Sequence, residues 1–485
     1  MLFSLKLPRL RGGDTLRAAI GLLAGFSVSG AWAQTPPAAA PAAEAAGDSA
    51  DASIWTRSNL LGTVGGLRTV LGNYGISLGL SEVSEVLGNV SGGLRQGAAY
   101  DGLTQMGLGL DTQKAFGWAG GTFNVSALQI HGRNLSADNL DSLQTASGIE
   151  AQRSTRLWEL WYQQAFLDGA ADVKLGQQSL DQEFIVSQYS GVFINTMMGW
   201  PMLPSADLYA GGPAYPLSSL GVRGRAVVGA ITVLGGVFDD NPPGGPFSND
   251  PQIRGAEQSG TAFNTGTGAL FIAEVQYAIN QPATGDIDKG QPSGLPGTYK
   301  LGFWYDSGAF PDQRYDSSGL SLADPLSSGI PAMRRGNYSL YGVVDQMVWR
   351  PAADSTQSLG LFARLMGAPG DRNLIDFSVN AGAVLKAPLP GRDNDSAGLG
   401  FGVAHVSGAA SGLVADTNLY TGFDIPRRGS ETFIEATYQY TVTPWWFLQP
   451  DVQYTFNPGG GLLSTTNGKR LGDEAVLGLR TSITF

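Results

Sequence analysis

The chain has 485 residues, of which 42% are hydrophobic, 10% aromatic and only 15% charged, with 69 glycines and no cysteine. A formal net charge of -11 argues against nucleic acid, whose phosphates select basic patches. The lack of cysteine excludes disulfides and thiolate sites. So low a charged fraction over such a length fits short strands joined by Gly-rich turns better than a soluble globule, and a barrel can use a long chain as one unit.

At the start, Lys6, Arg9, Arg11 and Arg17 precede or flank an apolar stretch from Ala18 to Val28, then Ala31-Trp32-Ala33 before Gln34. That order predicts a secretory signal peptide over 1–33, with an apolar part too short to span a bilayer. Residues 34–53 are rich in Ala and Pro and too poor in large apolar groups to form a core, so a disordered linker is expected. Over 54–73, Trp55, Leu60, Leu61, Val64, Leu67, Val70 and Leu71 recur at three- and four-residue spacing. This predicts a short N-terminal periplasmic helix, at the mouth of a barrel or inside it. No apolar run of about twenty residues follows the signal, so a membrane location would have to be met by strands.

From 74 to 485 the period changes to two. Strands are predicted near 74–84, 100–112, 120–131, 155–168, 171–179, 216–228, 230–239 and 267–280, then 297–309, 337–351, 357–367, 373–387, 396–407, 430–442, 445–456 and 474–485. That is an all-β chain of about 16 strands, an even number of the kind bacterial transmembrane antiparallel β-barrels use. Short and long links nearly alternate, as they do when periplasmic turns are short and outer loops long. Asp168-Gly169-Ala170 and Thr443-Pro444 are tight, whereas 180–215, 240–266, 310–336 and 407–429 are long. The long link 281–295 and the short one 367–372 break the alternation.

The last strand sets Ala475, Leu477, Leu479, Ile483 and Phe485 on one face and Glu474, Arg480, Ser482 and Thr484 on the other. Lipid on one side and water on the other demand this alternation. The same split recurs in Phe377, Val379, Ala381, Ala383 and Leu385 against Asp376, Ser378 and Asn380, and in Ile434, Ala436, Tyr438, Tyr440 and Val442 against Glu435, Thr437 and Gln439. Trp445, Trp446, Tyr438 and Tyr440 flank one turn, where an aromatic girdle would meet the membrane interface.

Several blocks resemble a known family in wording as well as period. They are Leu61-Gly62 with Gly65-Gly66-Leu67-Arg68, the run Arg156–Gln164 (RLWELWYQQ), Lys174-Leu175-Gly176-Gln177-Gln178 and Asp181-Gln182-Glu183-Phe184. Further on come Tyr215-Pro216-Leu217 with Gly221-Val222-Arg223, and Glu435–Tyr440 leading to Pro444-Trp445 and Gln449-Pro450-Asp451. In this order they resemble the carbohydrate-selective porins of the OprB type over nearly all the chain after the linker. The resemblance implies a sixteen-stranded barrel in the bacterial outer membrane, passing monosaccharides such as glucose through a constriction narrowed by inward-folded loops.

A sugar offers hydroxyls that need donors and acceptors and ring faces that stack on aromatics. Candidate lumen or constriction residues are therefore Glu159, Trp161 and Gln163 on one strand face, opposite Trp158, Leu160, Tyr162 and Phe166. Lys174 and Gln178 follow on the next strand, then Arg223 and Arg225 on the one after. The long segment 180–215, with Asp181, Glu183, Phe184, Tyr189, Phe193, Trp200 and Asp207, is the candidate constriction loop.

Catalytic chemistry has little raw material here. Only His131 and His405 exist, and structural or lumen roles suit them better than catalysis. Carboxylate pairs for glycoside hydrolysis remain open to sequence, because their pairing is spatial. Asp239-Asp240-Asn241 and Asp393-Asn394-Asp395 read as solvated loops rather than calcium sites, and Gly398-x-Gly400-x-Gly402 lies in a strand, away from any phosphate-loop context. The expected function is passive diffusion of sugars with no reaction, cofactor or metal, and with small sugars and outer-membrane lipid as partners. The alternatives are a general porin for small polar solutes and, from another class, a secreted carbohydrate-active enzyme. Porins commonly form homotrimers, and the sequence leaves the oligomeric state open.

Overall fold

Alternating outward apolar and inward polar side chains build sixteen antiparallel strands. They are β1 (Ile76–Ser91), β2 (Gly97–Asp111), β3 (Gly121–Gly132), β4 (Ser154–Phe166), β5 (Ala171–Gln178), β6 (Ser219–Val228), β7 (Ile231–Asp239) and β8 (Ala269–Ile279). The second half comprises β9 (Gly297–Asp316), β10 (Pro331–Trp349), β11 (Ser358–Gly367), β12 (Ile375–Lys386), β13 (Ser396–Val406), β14 (Ser430–Thr443), β15 (Trp446–Phe456) and β16 (Glu474–Thr484). This computed structural model describes residues 53–244, 258–263, 265–281, 294–464 and 468–485. The predicted signal peptide and nearly all of the linker, like most of the link 281–295, lie outside the described residues.

Each strand pairs with its neighbours in sequence, and β1 closes on β16 from Ser81↔Thr484 to Leu87↔Gly478. Closure leaves no unpaired sheet edge, the condition for strands to cross hydrocarbon. Among the described residues no helix is long and apolar enough to cross a membrane, so spanning falls to the strands. Outward positions expose large apolar side chains, Leu301 at 70% and Leu340 at 66% among them, while inward Glu85, Glu274, Asp345, Arg364, Glu435 and Arg480 are at most 3% exposed. A barrel inverts the usual order, with its oily side out and its polar side buried. Aromatics cluster toward both rims, with Phe123 and Tyr162 4.6 Å apart at the turn end and Tyr454 and Phe456 4.7 Å apart at the loop end.

Several elements differ from the sequence expectation. The N-terminal helix is only α1 (Leu67–Asn73), because Gly62, Val64, Gly65 and Gly66 all have positive φ and turn the preceding chain into successive bends. These bends lie on the rim with the C-terminus, where Leu60 N donates to Thr484 O at 2.8 Å and Trp445 Nε1 to Ile54 O at 2.7 Å. After α2 (Thr112–Phe116) in the first turn, the hairpin β9–β10 runs well beyond its expected ends and absorbs much of the presumed loop 310–336. Bulges at Met333 and Asn337 let Pro331 and Gly336 sit within paired strands.

A polar island interrupts the apolar belt of the outer wall. Glu82 accepts from Ser84 Oγ at 3.1 Å and Thr104 Oγ1 at 2.5 Å, and lies 3.5 Å from His131 Nε2. The His131 ring lies against Gly102, where a Cβ would stand 2.3 Å from Nε2, and meets Tyr100 Oη at 3.0 Å. His131 and His405 thus take structural roles, on the outer wall rather than the lumen; His405 bonds Asp376 at 2.6 Å near the loop end. Thr104→Val removes a donor to a carboxylate that hydrocarbon cannot solvate, and is expected to cost about 1–3 kcal/mol. Denaturant midpoints in lipid vesicles would read this, and in a Glu82→Leu background the same change should be close to neutral.

Candidate functional site: an inward loop against the β4–β6 wall

The link from β5 to β6, residues 179–218, turns into the barrel instead of away from it. It carries two short helices, α3 (Thr196–Gly199) and α4 (Met202–Asp207), and most of its residues are buried. Two apolar clusters fix it there. Leu180, Phe184, Ile185, Trp200, Leu203 and Leu208 pack on inward residues of β7–β11 such as Phe238, Ile272, Trp304 and Met366. Tyr189, Phe193, Met197 and Met198 pack on Phe362, Val384, Ala404 and Phe433.

Charged groups on the wall then satisfy the loop's backbone, which a buried loop requires. Glu274 accepts from Ile185 N at 2.9 Å, Asp345 from Gln188 N at 3.0 Å, and Glu435 from Ile194 N at 2.5 Å and Asn195 N at 3.2 Å. Gln449 Nε2 donates to Val192 O at 2.8 Å. The shorter loop 133–153 is held likewise, Glu431 accepting from Leu143 N and Gln144 N at 2.8 and 2.7 Å. Sequence reasoning missed these anchors. Their signal was a charged residue at an inward strand position, which by itself equally reads as pore lining.

The Gly398-x-Gly400-x-Gly402 string now has a purpose. All three glycines face inward on β13, and the loop seats Phe193 and Met198 against the first two, where a Cβ would come within 2.7–2.9 Å of these side chains. The string is a trough for the loop.

Opposite this packed side, the β4–β6 wall gathers most of the predicted lumen residues. Glu183 reaches from the loop and pairs with Lys174 and with Arg223, whose Nε lies 2.6 Å from its Oε2. Arg223 also pairs with Asp172, which takes Arg225 Nε at 2.7 Å. Lys174 Nζ sits 4.8 Å above the Trp161 ring, and Gln163 Oε1 lies 3.5 Å from Arg223. Three cations and two carboxylates thus interlock, and Glu183 stays 23% exposed at the junction. Burial pushes its carboxyl upward, but Lys174 and Arg223 outweigh this and hold it at about 2. Asp172, the carboxylate shared by both arginines, went unnoticed in the sequence although it shares a strand face with Lys174.

Glu159, Gln178 and Asp181 serve the base of the loop, with Glu159 also within reach of Lys174 and Trp161. Glu159 is 1% exposed and accepts from Ser179 N at 3.1 Å, and Gln178 Nε2 donates to Gly221 O at 3.1 Å across β5 and β6. Asp181 accepts from Ser179 Oγ at 2.6 Å and Tyr215 N at 3.0 Å, tying together the two ends of the loop; burial lifts its carboxyl above the ordinary value, with these bonds only partly opposing it. Trp158 does not face lipid as its alternation suggested. The register jumps from Ser126↔Glu159 to Ala127↔Leu157, so Trp158 is the extra residue of a bulge and turns inward, fully buried against Tyr215.

On the loop-end side the two inward loops form a cup lined by Asn134, Thr145, Glu150, Thr196, Ser205 and Tyr215. The two aspartate runs, read as solvated loops, are largely buried instead: Asp395, 1% exposed, binds Arg392 through both oxygens at 2.8 Å, and Asp240, fully buried, accepts from Thr267 Oγ1 at 2.5 Å through one oxygen only. Among the described residues no group of three or more His, Asp or Glu side chains is placed to hold a metal ion.

Known proteins share this architecture. Residues 95–485 match the model of the carbohydrate-selective porin, OprB family. Porin B of Pseudomonas aeruginosa is 29% identical over 424 residues, covering 83% of this chain and 87% of that protein. A putative porin, QuiX, of Acinetobacter baylyi is 24% identical over 454 residues, covering 89% and 94%. The high-pH structure of Pseudomonas putida OprB superposes with a TM-score of 0.75 at 25% identity, over 89% of this chain and all of that one. A closed sixteen-stranded barrel with a polar interior and a family match over most of its length make the chain a member of the OprB family of carbohydrate-selective porins, proteins of the bacterial outer membrane.

Proposed function

We propose that monosaccharides such as glucose cross this porin by passive diffusion along the β4–β6 wall, with the loop 179–218 as the constriction. The observation that carries the reading is Glu183, held between Lys174 and Arg223 beside Trp161. Ionised groups fixed by one another leave the exposed oxygens of Glu183 and N–H groups of Arg225 for sugar hydroxyls, with Lys174 held over the buried Trp161 ring behind them. The packed apolar clusters fill the opposite side of the lumen and support a path confined to this wall. Gln163, Glu183 and Arg225, the partly exposed members, are the contacts we assign to solute; the buried Trp161, Lys174 and Arg223 hold them in place, and Glu159, Gln178 and Asp181 support them from behind. The outward apolar belt suits lipid as the barrel's surroundings.

Planar-bilayer conductance of the purified protein, with glucose, other sugars and amino acids titrated in turn, tests the proposal. Glucose is expected to block ion current at lower concentration than amino acids of similar size. Channels indifferent to every sugar would leave a general porin for small polar solutes.

A further inference from the structure

The inward loop is clamped at one helical turn from two directions. Helix α3 spans only Thr196–Gly199, and so short a helix leaves nearly all its backbone groups without intrahelical partners. On one side Arg364 of β11, 1% exposed, donates from Nη2 to Met197 O at 2.6 Å and Met198 O at 2.7 Å, and from Nη1 to Gly199 O at 2.7 Å. On the other side Glu435 of β14 accepts from the two N–H groups that lead into α3, those of Ile194 and Asn195. A guanidinium offers five donors in a rigid planar fork, so its two Nη atoms can hold carbonyls spread along the turn in one fixed geometry, whereas an ammonium's three donors radiate from a single nitrogen. The same Nη1 reaches Ile185 O at 3.4 Å and so joins the two arms of the loop.

We propose that Arg364 is the positioning residue for the constriction: by gathering the carbonyls of α3 it sets how far the loop 179–218 extends across the lumen, and thereby the size of the passage and its grip on sugar. It lies under the loop and touches no solute. The inference rests on the reading of this loop as the constriction.

Arg364→Met keeps the length and apolar stem of the side chain while deleting the fork. Released carbonyls then seek water, the loop loses its fixed span across the lumen, and single-channel conductance is expected to rise about twofold with frequent closures. Block by glucose should weaken about tenfold. Arg364→Lys restores the charge but bonds fewer carbonyls, so it should recover only part of both changes; a role limited to folding would show no such graded recovery in open-channel properties. Heat-modifiable gel mobility verifies that each variant is a folded barrel. If Arg364→Met does not fold, Glu435→Gln probes the opposite jaw of the clamp and should raise conductance by a smaller factor.

Folded Arg364→Met channels with unaltered conductance and sugar block would overturn the assignment. The native chain has no cysteine, so Gln188→Cys, at an exposed point of the same loop, can be labelled alone with a bulky thiol reagent. Current that drops on labelling while Arg364→Met stays like the native channel rejects the role of Arg364 and leaves the loop as constriction. Labelled channels that conduct as before overturn the reading of the loop itself, and the positioning role with it.

Discussion

Glu183→Gln is expected to weaken sugar block about tenfold, which corresponds to losing about 1.4 kcal/mol of charge-assisted hydrogen bonding. It should also turn the channel toward anions. Glu183 and Asp172 together oppose Lys174, Arg223 and Arg225, so removing one carboxylate leaves the three cations with a single counter-charge. Reversal potentials across a salt gradient would report the shift, and its size should shrink as ionic strength screens the lumen. The native channel makes a further, pH-dependent prediction. Lys174 and Arg223 hold Glu183 at about 2, below its ordinary value. A depressed carboxyl contributes its full stabilisation above its unfolded pKa of about 4.3 and loses it only as pH falls through the folded value. As far as Glu183 governs it, glucose block should therefore stay level from pH 8 to about pH 4 and fail toward about pH 2, a break that Glu183→Gln should not display. Block that already halves near pH 5 in the native channel would assign the sugar contact to another group.

How much of this was legible before folding depends on the range of the interaction involved. Period-two alternation is local, and it located every strand; β12, β14 and β16 face as their sequences imply, with Ser378, Glu435 and Arg480 inward and Phe377, Ile434 and Leu479 outward. The register of a single inserted residue is not local in the same way. Trp158 reads as a lipid-facing tryptophan until the bulge turns it over, because one extra residue exchanges the two faces of a strand. The extended hairpin was hidden by residue types that usually stop strands, Pro311, Pro331 and Gly336, which survive here beside irregular pairing.

A helix in the loop 407–429 was missed for a related reason. Helix α5 (Gly408–Thr421) has no apolar stripe to betray it, and its caps were the available sign: Ser407 Oγ accepts from Ala410 N and Gly422 ends it in a left-handed turn. Arg314 of the long β9 fastens it through a two-pronged bond to Asp416 at 2.7 and 2.8 Å. The site divides the same way. Lys174, Arg223 and Trp161 could be listed as inward residues on adjacent strands, but Glu435 serves a backbone N–H 241 residues away, a separation over which sequence carries no pairing information. Hence a lumen carboxylate that anchors a loop and one that meets solute look alike until the loop is in place.

That distinction gives the glycine trough on β13 a sharp consequence, opposite in sign to the release of the loop. Gly398 and Gly400 have ordinary backbone angles, so an alanine there meets crowding and no φ strain. A Cβ on Gly400 would stand 2.7 Å from Met198 Cε and 2.9 Å from Phe193 Cε1, and one on Gly398 2.9 Å from Phe193 Cζ. Phe193 has little room to yield, since it is fully buried and packs on Phe362 at 5.7 Å. Each alanine is therefore expected to cost about 1–3 kcal/mol in the docking of the loop. The barrel's strand order puts β13 eight strands from β5, on the far side of the lumen. With Arg364 and Glu435 still gripping α3, a loop wedged off β13 moves toward Lys174 and narrows the passage. The Gly398→Ala/Gly400→Ala double variant should thus conduct less than the native channel, by about half, and exclude disaccharides more strictly. Liposome swelling with sugars of increasing size, beside single-channel conductance, would read both effects. Unchanged or larger conductance in the folded double variant would mean that Phe193 and Met198 are not seated against β13 when the channel is open.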